Sequence, residues 1–202
     1  MITSEADPPA PGTAGRRPFL ALCVCEGNIC RSPAAAFLLQ ARLGPDVEVT
    51  SAGTRAVVGA PVAPPMAALL RGRGIESDGF RARQLEAVLL QQADLVLTLT
   101  REQRGLAVGL VPSVVRRTFT LRELARLLTD VDPETLPPGT SGERLRQALP
   151  AAAARRRYVV DPRADDIADP YGRSDAAYRR AIAEITDAVE RIGVAVLPAA
   201  VR

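Results

Sequence analysis

The chain has 202 residues, of which 47% are hydrophobic and 3% aromatic, so its core must consist mainly of aliphatic side chains. Its net charge is only +3, and all 26 basic residues are arginine. This mild excess gives no reason to expect a nucleic-acid partner, and no apolar run reaches the ~18 residues that span a bilayer. We expect one soluble domain without a membrane partner, either a monomer or a weak homodimer.

The first 17 residues are rich in proline and glycine and lack the apolar stretch of a signal peptide. We expect a disordered tail over residues 1–17, a single domain over residues 18–195 and a short tail over residues 196–202. The three cysteines lie too close together for a secreted disulfide framework. They indicate a reducing compartment, and the expected location is the cytoplasm.

Strand and helix patterns alternate along the chain. The continuous apolar run Phe19–Cys25 is typical of a strand buried on both faces of a parallel sheet. Further strands are predicted over residues 47–52, 94–98 and 111–119, the last an edge strand because Pro112 interrupts its start. Helices are predicted over residues 34–43, 63–73 with Gly74 as cap, from Arg101, over 120–128 with a capping box, and over 174–192. This alternation predicts an α/β three-layer sandwich with a four-stranded parallel sheet.

Residues 24–33, Val-Cys-Glu-Gly-Asn-Ile-Cys-Arg-Ser-Pro, connect the first predicted strand to the first predicted helix. The backbone N–H groups of such a turn and the helix N-terminus favour an anion at one point. Arg31 can bind two phosphoryl oxygens bidentately. The same positive field stabilises Cys25 as a thiolate nucleophile. The turn is therefore predicted to be a phosphate-binding loop after strand 1.

The spacing of Cys25 and Arg31 alone is a weak signal in a chain with 26 arginines. The residues between and after them strengthen it. Gly27 and Asn28 tolerate a positive φ, which lets a loop turn its amides inward, and Ser32 can donate a hydrogen bond to the thiolate. The alternative is a buried structural cysteine ahead of an ordinary helix.

Residues 25–33 resemble the signature loop of the low-molecular-weight protein tyrosine phosphatases. Residues 51–54 (Ser-Ala-Gly-Thr) resemble the segment after that family's second strand, and residues 83–85 and 93–97 resemble the stretch into its third. Residues 169–172 (Asp-Pro-Tyr-Gly) resemble its acid loop. The resemblance covers roughly residues 18–195.

This resemblance implies hydrolysis of phosphotyrosine in proteins through a cysteinyl-phosphate intermediate. Cys25 would be the nucleophile, Arg31 would bind the phosphoryl group, and Asp169 would be the general acid. Asp132 and Asp161 also precede prolines, but neither is followed by Tyr-Gly and a capped helix. No cofactor is implied. No metal is expected either, because the chain has no histidine and no acidic or cysteine cluster with metal-ligand spacing.

The expected substrate-binding residues are Glu26, Gly27, Asn28, Ile29, Cys30, Ser32, Val57 and Tyr171. Cys30 has a second candidate role, since it could close a disulfide with Cys25 under oxidation; the alternative is small-residue packing.

Several positions depart from the family pattern. Glu26 places a carboxylate where the family commonly has an uncharged residue, and it should repel a phosphate unless Arg55, Arg83 or another arginine pairs with it. Val57 stands where many members have an aromatic residue, Phe80 where many have histidine, and Thr100 where many have an acid.

Residues 129–168 match the family least well. They contain several prolines, a short predicted helix over residues 141–149 and three consecutive arginines at 155–157. One interpretation is a solvated surface insertion. The other is a lid or docking arm that the arginines direct toward an acidic partner.

Other functions remain open. A protein-arginine phosphatase uses the same loop, but such enzymes tend to carry threonine at the position of Ile29, so Ile29 favours phosphotyrosine. Thioredoxin-coupled arsenate reductases need further cysteines downstream, and none follows Cys30. A catalytically weak phosphoprotein-binding module is the alternative that abandons catalysis.

Overall fold

The computed structural model describes residues 17–158 and 162–197. One parallel sheet has the strand order β2-β1-β3-β4. Its strands are β1 (Phe19–Cys25), β2 (Val47–Gly53), β3 (Leu95–Thr98) and β4 (Thr118–Thr120). The predicted four-stranded parallel sheet is confirmed, and the predicted phosphate-binding loop follows β1. The tails predicted for residues 1–17 and 196–202 lie almost wholly outside the described residues.

Seven helices are found in the described ranges: α1 (Arg31–Leu43), α2 (Pro64–Arg71), α3 (Ala87–Gln92), α4 (Arg101–Leu110), α5 (Leu121–Thr129), α6 (Ser141–Ala154) and α7 (Asp175–Val196). The capping box predicted at Thr120 and Glu123 is present at the start of α5. Helix α3 was not predicted, because six residues are too few to show a helical period. None of these helices has the length and apolarity needed to cross a bilayer.

The sheet separates two hydrophobic clusters, because successive side chains of a strand point to opposite faces. Leu22 and Val24 of β1 lie in the smaller cluster with residues of α3 and α4. Ala21 and Cys23 lie in the larger cluster with residues of α1, α2, α5, α6 and α7. The parallel arrangement brings the carboxyl ends of all four strands to one edge of the sheet, where loops can form a site.

The strand predicted over residues 111–119 is wrong in its first part. Residues Pro112–Arg117 form a 3-10 helix, and only Thr118–Thr120 pair with β3. Proline has no N–H to donate to a sheet ladder but is well tolerated at the start of a helical turn. Strand β4 does lie at a sheet edge, as predicted.

Residues 129–168 pack into the domain, so the interpretation as a solvated insertion is wrong for α6. The α6 side chains of Leu145, Ala148 and Ala152 are fully buried in the larger cluster. Helix α6 also extends to Ala154, beyond the predicted residue 149, and includes Pro150. Gly142 permits close approach, since a Cβ there would lie 2.7 Å from the Cβ of Phe19.

Two of the three consecutive arginines at 155–157 make contacts with other parts of the domain. These contacts argue against the interpretation as an arm that projects from the domain. Arg156 Nε donates to Glu123 (3.1 Å), and its guanidinium lies 3.9 Å from the centre of the Phe119 ring. Arg155 donates to the carbonyl of Asp130 (3.2 Å). These contacts attach the segment after α6 to α5 and β4.

Candidate active site

The loop between β1 and α1 directs its carbonyl groups outward, toward the segment that follows β2. Thr54 N donates to Cys25 O (2.9 Å), Arg55 N to Glu26 O (2.9 Å), Val57 N to Gly27 O (3.0 Å) and Ala63 N to Ile29 O (2.8 Å). In a planar trans peptide the C=O and the next N–H point in opposite directions. The amides of residues 26, 27, 28 and 30 therefore face the centre of the loop, which makes it an anion-binding cradle.

The thiol of Cys25 lies in this cradle, at the carboxyl end of the central strand. It accepts a hydrogen bond from the backbone N–H of Asn28 (3.3 Å) and lies 3.0 Å from the hydroxyl oxygen of Ser32. The Asn28 side-chain amide donates to that hydroxyl oxygen (2.9 Å), so the hydroxyl proton is free to point elsewhere. The thiol is a nearer acceptor for it than the carbonyl of Ala52 (3.4 Å). Two hydrogen-bond donors therefore face the sulfur of Cys25.

Asn28 organises the loop from beneath. It is fully buried, and it is the one described non-glycine residue with a positive φ (54°), as its position in the motif predicted. Its side chain donates to Ser51 Oγ (2.9 Å) and accepts from the backbone N–H of Arg83 (2.9 Å). Arg83 Nε in turn donates to the carbonyl of Ser51 (2.8 Å). The role of Ser51 was not predicted, and its place in a segment that resembles the family is the only signal for it in the sequence.

Gly53 allows the end of β2 to lie directly against the loop. A Cβ at this position would lie 2.5 Å from the backbone oxygen of Glu26 and 3.0 Å from the Cβ atoms of Asn28 and Ala56. Real Cβ atoms do not approach a backbone oxygen so closely. The position therefore requires glycine for its lack of a side chain.

Arg31, the first residue of α1, is buried and joins the loop to the acid segment. Its Nη1 donates to the carbonyl of Ile167 (3.0 Å), and its Nη2 forms an ion pair with Asp169. Its Nε is buried and has no hydrogen-bond partner. An unpaired buried donor beside an anion cradle suits a phosphoryl oxygen as acceptor.

Asp169 reaches this position because the chain around Ile167 runs across the carboxyl ends of β3 and β4. Ile167 N donates to the carbonyl of Leu99 (2.8 Å), and Thr120 Oγ1 donates to the carbonyl of Asp165 (3.0 Å). The carboxylate of Asp169 also accepts from the N–H of Tyr171 (3.1 Å). The structure thus brings together the three predicted catalytic side chains.

The other two Asp-Pro pairs have different outcomes. Asp132 accepts a hydrogen bond from Glu134 N (2.9 Å) and caps the 3-10 helix Pro133–Thr135, which is ordinary turn chemistry. Asp161 lies outside the described residues.

A cleft opens above the loop. It is lined by Glu26, Gly27, Ile29, Cys30, Arg55, Val57, Asp169, Tyr171 and Arg173. Six of the eight predicted substrate-binding residues are among them; Asn28 and Ser32 lie beneath, where they support the loop. Arg55 and Arg173 add cationic groups to the rim.

Glu26 is paired at this rim. Its carboxylate accepts a hydrogen bond from Arg55, and both side chains are largely exposed. One of the two arginines considered for this pairing is therefore the partner, whereas Arg83 points to Ser51.

Cys30 and Cys23 differ from Cys25 in their surroundings. Burial raises the pKa of Cys30 to about 12, despite a weak hydrogen bond to Tyr178 Oη (4.0 Å). Burial likewise raises the pKa of Cys23, which lies within the sheet. Cys30 is thus a protonated thiol near neutral pH, which favours packing over ready disulfide exchange.

Phe80 and Thr100 have structural contacts of their own. Phe80 packs edge-to-face on Phe37, with ring centres 6.1 Å apart. Thr100 caps α4 by accepting from Gln103 N (3.3 Å). These contacts explain how the chain accommodates phenylalanine and threonine at two positions where many family members have histidine and an acidic residue.

The sequence model of the low molecular weight phosphotyrosine protein phosphatases matches residues 21–135, more than half of the chain. The chain belongs to this family. A protein-arginine-phosphatase of Geobacillus stearothermophilus is 31% identical over 175 residues, which cover 87% of this chain and 94% of that protein. A probable low molecular weight protein-tyrosine-phosphatase, EpsP of Ralstonia solanacearum, is 39% identical over 111 residues, covering 55% of this chain and 74% of the relative.

Solved structures agree. The YwlE arginine phosphatase from Geobacillus stearothermophilus superposes with a TM-score of 0.64 at 30% identity, covering 88% of this chain and 92% of that one. The Erwinia amylovora tyrosine phosphatase AmsI superposes with a TM-score of 0.67 at 24% identity, covering 93% and 99%, and shares the fold. The chain is a phosphatase with the family's α/β architecture.

Proposed function

We propose that this phosphatase hydrolyses phosphotyrosine in protein substrates through a cysteinyl-phosphate formed on Cys25. The observation that carries the proposal is the loop geometry: inward-facing amides surround a thiol that accepts a hydrogen bond from Asn28 N (3.3 Å). Such a cradle binds a phosphoryl group and holds the nucleophile next to phosphorus.

In the first step, the Cys25 thiolate attacks phosphorus in line with the leaving oxygen. The S–P bond forms as the P–O bond to the tyrosine ring breaks. Asp169 gives its proton to the leaving phenolate oxygen. Arg31 and the loop amides bind the equatorial oxygens, whose charge they stabilise in the transition state.

In the second step, a water molecule attacks the phosphorus of the cysteinyl-phosphate. Asp169, now a carboxylate, accepts a proton from this water, and the S–P bond breaks to regenerate the Cys25 thiolate and release inorganic phosphate. Ser32 stabilises the leaving thiolate through its hydroxyl, which lies 3.0 Å from the sulfur. No cofactor takes part in either step of this proposal.

The cleft walls support an aromatic leaving group. Ile29 and Val57 present apolar surface, and Tyr171, which is 60% exposed, stands beside them as the aromatic wall. An aromatic ring can stack on or pack against such surfaces. Val57 offers less contact than an aromatic residue at the same position, so Tyr171 carries more of this role.

Phosphoarginine is the second candidate substrate. The arginine phosphatase relative aligns over 87% of this chain, farther than the tyrosine phosphatase relative does. The carboxylates of Glu26 and Asp169 line the cleft and could attract a guanidinium. Against this, Glu26 already pairs with Arg55, and Ile29 offers no hydrogen bond to a guanidinium.

The deciding experiment measures phosphate release from matched peptides that carry phosphotyrosine, phosphoserine or phosphoarginine. We expect the largest kcat/KM for phosphotyrosine. Cys25→Ser should fall below about a tenth of wild-type turnover while it still binds the peptide, because an alcohol is a far weaker nucleophile at neutral pH.

The Ile29→Thr variant tests the pocket. We expect it to lower kcat/KM for phosphotyrosine and raise it for phosphoarginine. Greater wild-type activity on phosphoarginine would replace the tyrosine assignment, and peptide binding without turnover would indicate a phosphoprotein-binding module. A thiol nucleophile also fits the predicted reducing, cytoplasmic location.

A further inference from the structure

A second cleft lies at the opposite end of the sheet. Phe19, the first residue of β1, lines it, whereas Cys25, the last residue of β1, lies in the active-site loop. A strand of this length separates the two by roughly 20 Å. The second cleft, of about 800 Å³, is therefore distinct from the catalytic one.

The charged part of its lining is mainly basic. Four arginines (Arg116, Arg117, Arg146 and Arg156) and one carboxylate, that of Asp94, line the cleft beside apolar residues. The charged lining residues thus include three more basic than acidic side chains, whereas the whole chain carries a net charge of only +3.

The nearby carboxylates are each shared by two arginines. Asp94 pairs with Arg146 (3.4 Å) and also with Arg17 (2.8 Å). Glu123, just outside the cleft, pairs with Arg156 and with Arg104, both at 3.1 Å. The two carboxylates therefore neutralise only part of the arginine charge around the cleft. The cleft keeps a positive potential, which attracts anions.

One donor in the cleft is unsatisfied. Among the described residues, two buried side-chain nitrogens have no hydrogen-bond partner: the Nε of Arg31 and the Nε of Arg117. The first belongs to the phosphate-binding loop. The second belongs to Arg117, which lines this cleft and whose Nη2 donates to the carbonyl of Gln91 (3.1 Å). Arg116 is exposed and forms no ion pair with the described residues.

The guanidinium groups are held in place before any ligand binds. Arg146 lies 5.1 Å from the centre of the Phe19 ring, and Arg156 lies 3.9 Å from that of Phe119. Stacking of this kind orders the side chain. Arg156 also donates to Glu123 and to the carbonyls of Val115 (2.9 Å) and Thr118, so it is fixed within the fold and contributes its charge to the cleft. Leu149 and Pro150 line the same cleft and supply apolar surface.

Half of the lining comes from α6 and the turn after it. These residues lie beyond residue 135, where the family match ends. The other half of the lining, which includes Asp94, Arg116 and Arg117, lies within the matched region or, for Phe19, just before it.

We propose that this cleft is a docking site for an acidic peptide segment of a partner protein. Its arginines come from three separate parts of the chain, so they suit carboxylates spaced along an extended peptide. The apolar surface between them accepts an aliphatic or aromatic side chain of the same peptide.

The test measures binding of a fluorescein-labelled, unphosphorylated peptide in which Asp and Glu alternate with Leu and Phe. Fluorescence anisotropy with the full chain at low salt gives Kd. We expect Arg116→Ser/Arg117→Ser to weaken binding on the order of tenfold. Arg116→Glu makes the same change of two charges at one exposed side chain and should weaken binding to a similar extent. Thermal melting verifies that both variants fold.

Arg71→Ser/Arg73→Ser is the matched control, since it removes the same charge from an exposed region at the end of α2. It should change Kd by less than about twofold. An equal loss in this control would show non-specific attraction and overturn the proposal. The proposal is also overturned if the wild type does not bind the peptide at low salt, or if the cleft binds ATP instead of the peptide.

Discussion

The guanidinium of Arg31 forms an ion pair with the carboxylate of Asp169, although 138 positions separate them in the chain. The Nε of the same guanidinium has no partner. One side chain therefore holds the candidate acid and keeps a donor for the phosphoryl group. This contact places Asp169 beside the side chain that is proposed to bind the phosphoryl group.

Replacing Asp169 with Asn should reduce kcat on the order of 10²–10³, because the amide cannot donate a proton to the leaving oxygen. KM should change little, since the amide can still hydrogen-bond to Arg31. The measurement compares aryl phosphates that differ in leaving-group pKa, and the loss should shrink as the leaving group improves. An equal loss for all substrates would assign Asp169 a positioning role instead.

Replacing Asn28 should test its support of the loop. Asn28→Ala removes hydrogen bonds to Ser32, Ser51 and Arg83 and puts alanine at a φ of 54°. We expect a loss of about 2–4 kcal/mol in the free energy of unfolding, together with a large loss of kcat.

The matched variant Asn28→Gly tolerates the positive φ but still lacks the side chain. In urea unfolding it should recover about 1 kcal/mol relative to Asn28→Ala, without recovering activity. If Asn28→Gly regains full activity, backbone conformation alone is what the loop requires.

The Glu26–Arg55 pair should make Glu26 nearly neutral toward substrate. Exposed pairs contribute about 0–1 kcal/mol, so Glu26→Thr should change KM by less than about fivefold. Arg55→Ala leaves the carboxylate unpaired beside the incoming phosphate and should raise KM, most clearly at low salt. The double variant should reverse that increase. A double variant no better than Arg55→Ala would mean that Arg55 binds substrate directly.

Gly53→Ala should disturb the catalytic loop, because the added Cβ would overlap the backbone oxygen of Glu26. We expect a substantial loss of kcat/KM and a lower melting temperature. Gly105→Ala is the control, since its Cβ would meet nothing within 4 Å and alanine favours the helix interior by about 0.5–1 kcal/mol. The control should melt slightly higher with unchanged activity. Normal activity of Gly53→Ala would show that the loop can shift without cost.

Cys30 should make the fold less stable at alkaline pH. Burial raises its pKa to about 12 in the folded state, whereas an exposed cysteine titrates near 8.5. Between these values the unfolded chain loses the proton and the folded chain keeps it, so the free energy of unfolding falls as pH rises. The free energy of unfolding, measured with urea at pH 7 and at pH 10, should fall between the two pH values. This fall should be smaller by about 1–2 kcal/mol in Cys30→Ala than in the wild type. Equal drops would mean that Cys30 does not contribute.

The catalytic loop could be predicted from sequence because its chemistry is local. Cys25, Asn28 and Arg31 lie within one turn, and their types and spacing reflect the geometry that an anion requires. The parallel sheet was predictable for a similar reason, since buried strands such as Phe19–Cys25 show their environment in a short run of residues.

The edges of elements were less predictable. Residues Pro112–Arg117 have the apolar content of a strand, but β4 is only three residues long. Helix α6 was expected to be short, although its buried face continues to Ala152. In both cases packing against neighbouring elements decides where the helix or strand begins and ends. The intrinsic propensities for helix and strand differ by less than the free energy of packing.

The sequence by itself determined the strand–loop–helix and the positions of the candidate nucleophile and the candidate phosphate-binding arginine on it, because these depend on neighbours in the chain. Only the tertiary structure decided which partners complete the site. Ser51 supports Asn28, Arg55 pairs with Glu26, and Asp169 reaches Arg31. These contacts join segments that are far apart in the chain, and they form only when parallel strands bring their carboxyl ends to one edge of the sheet.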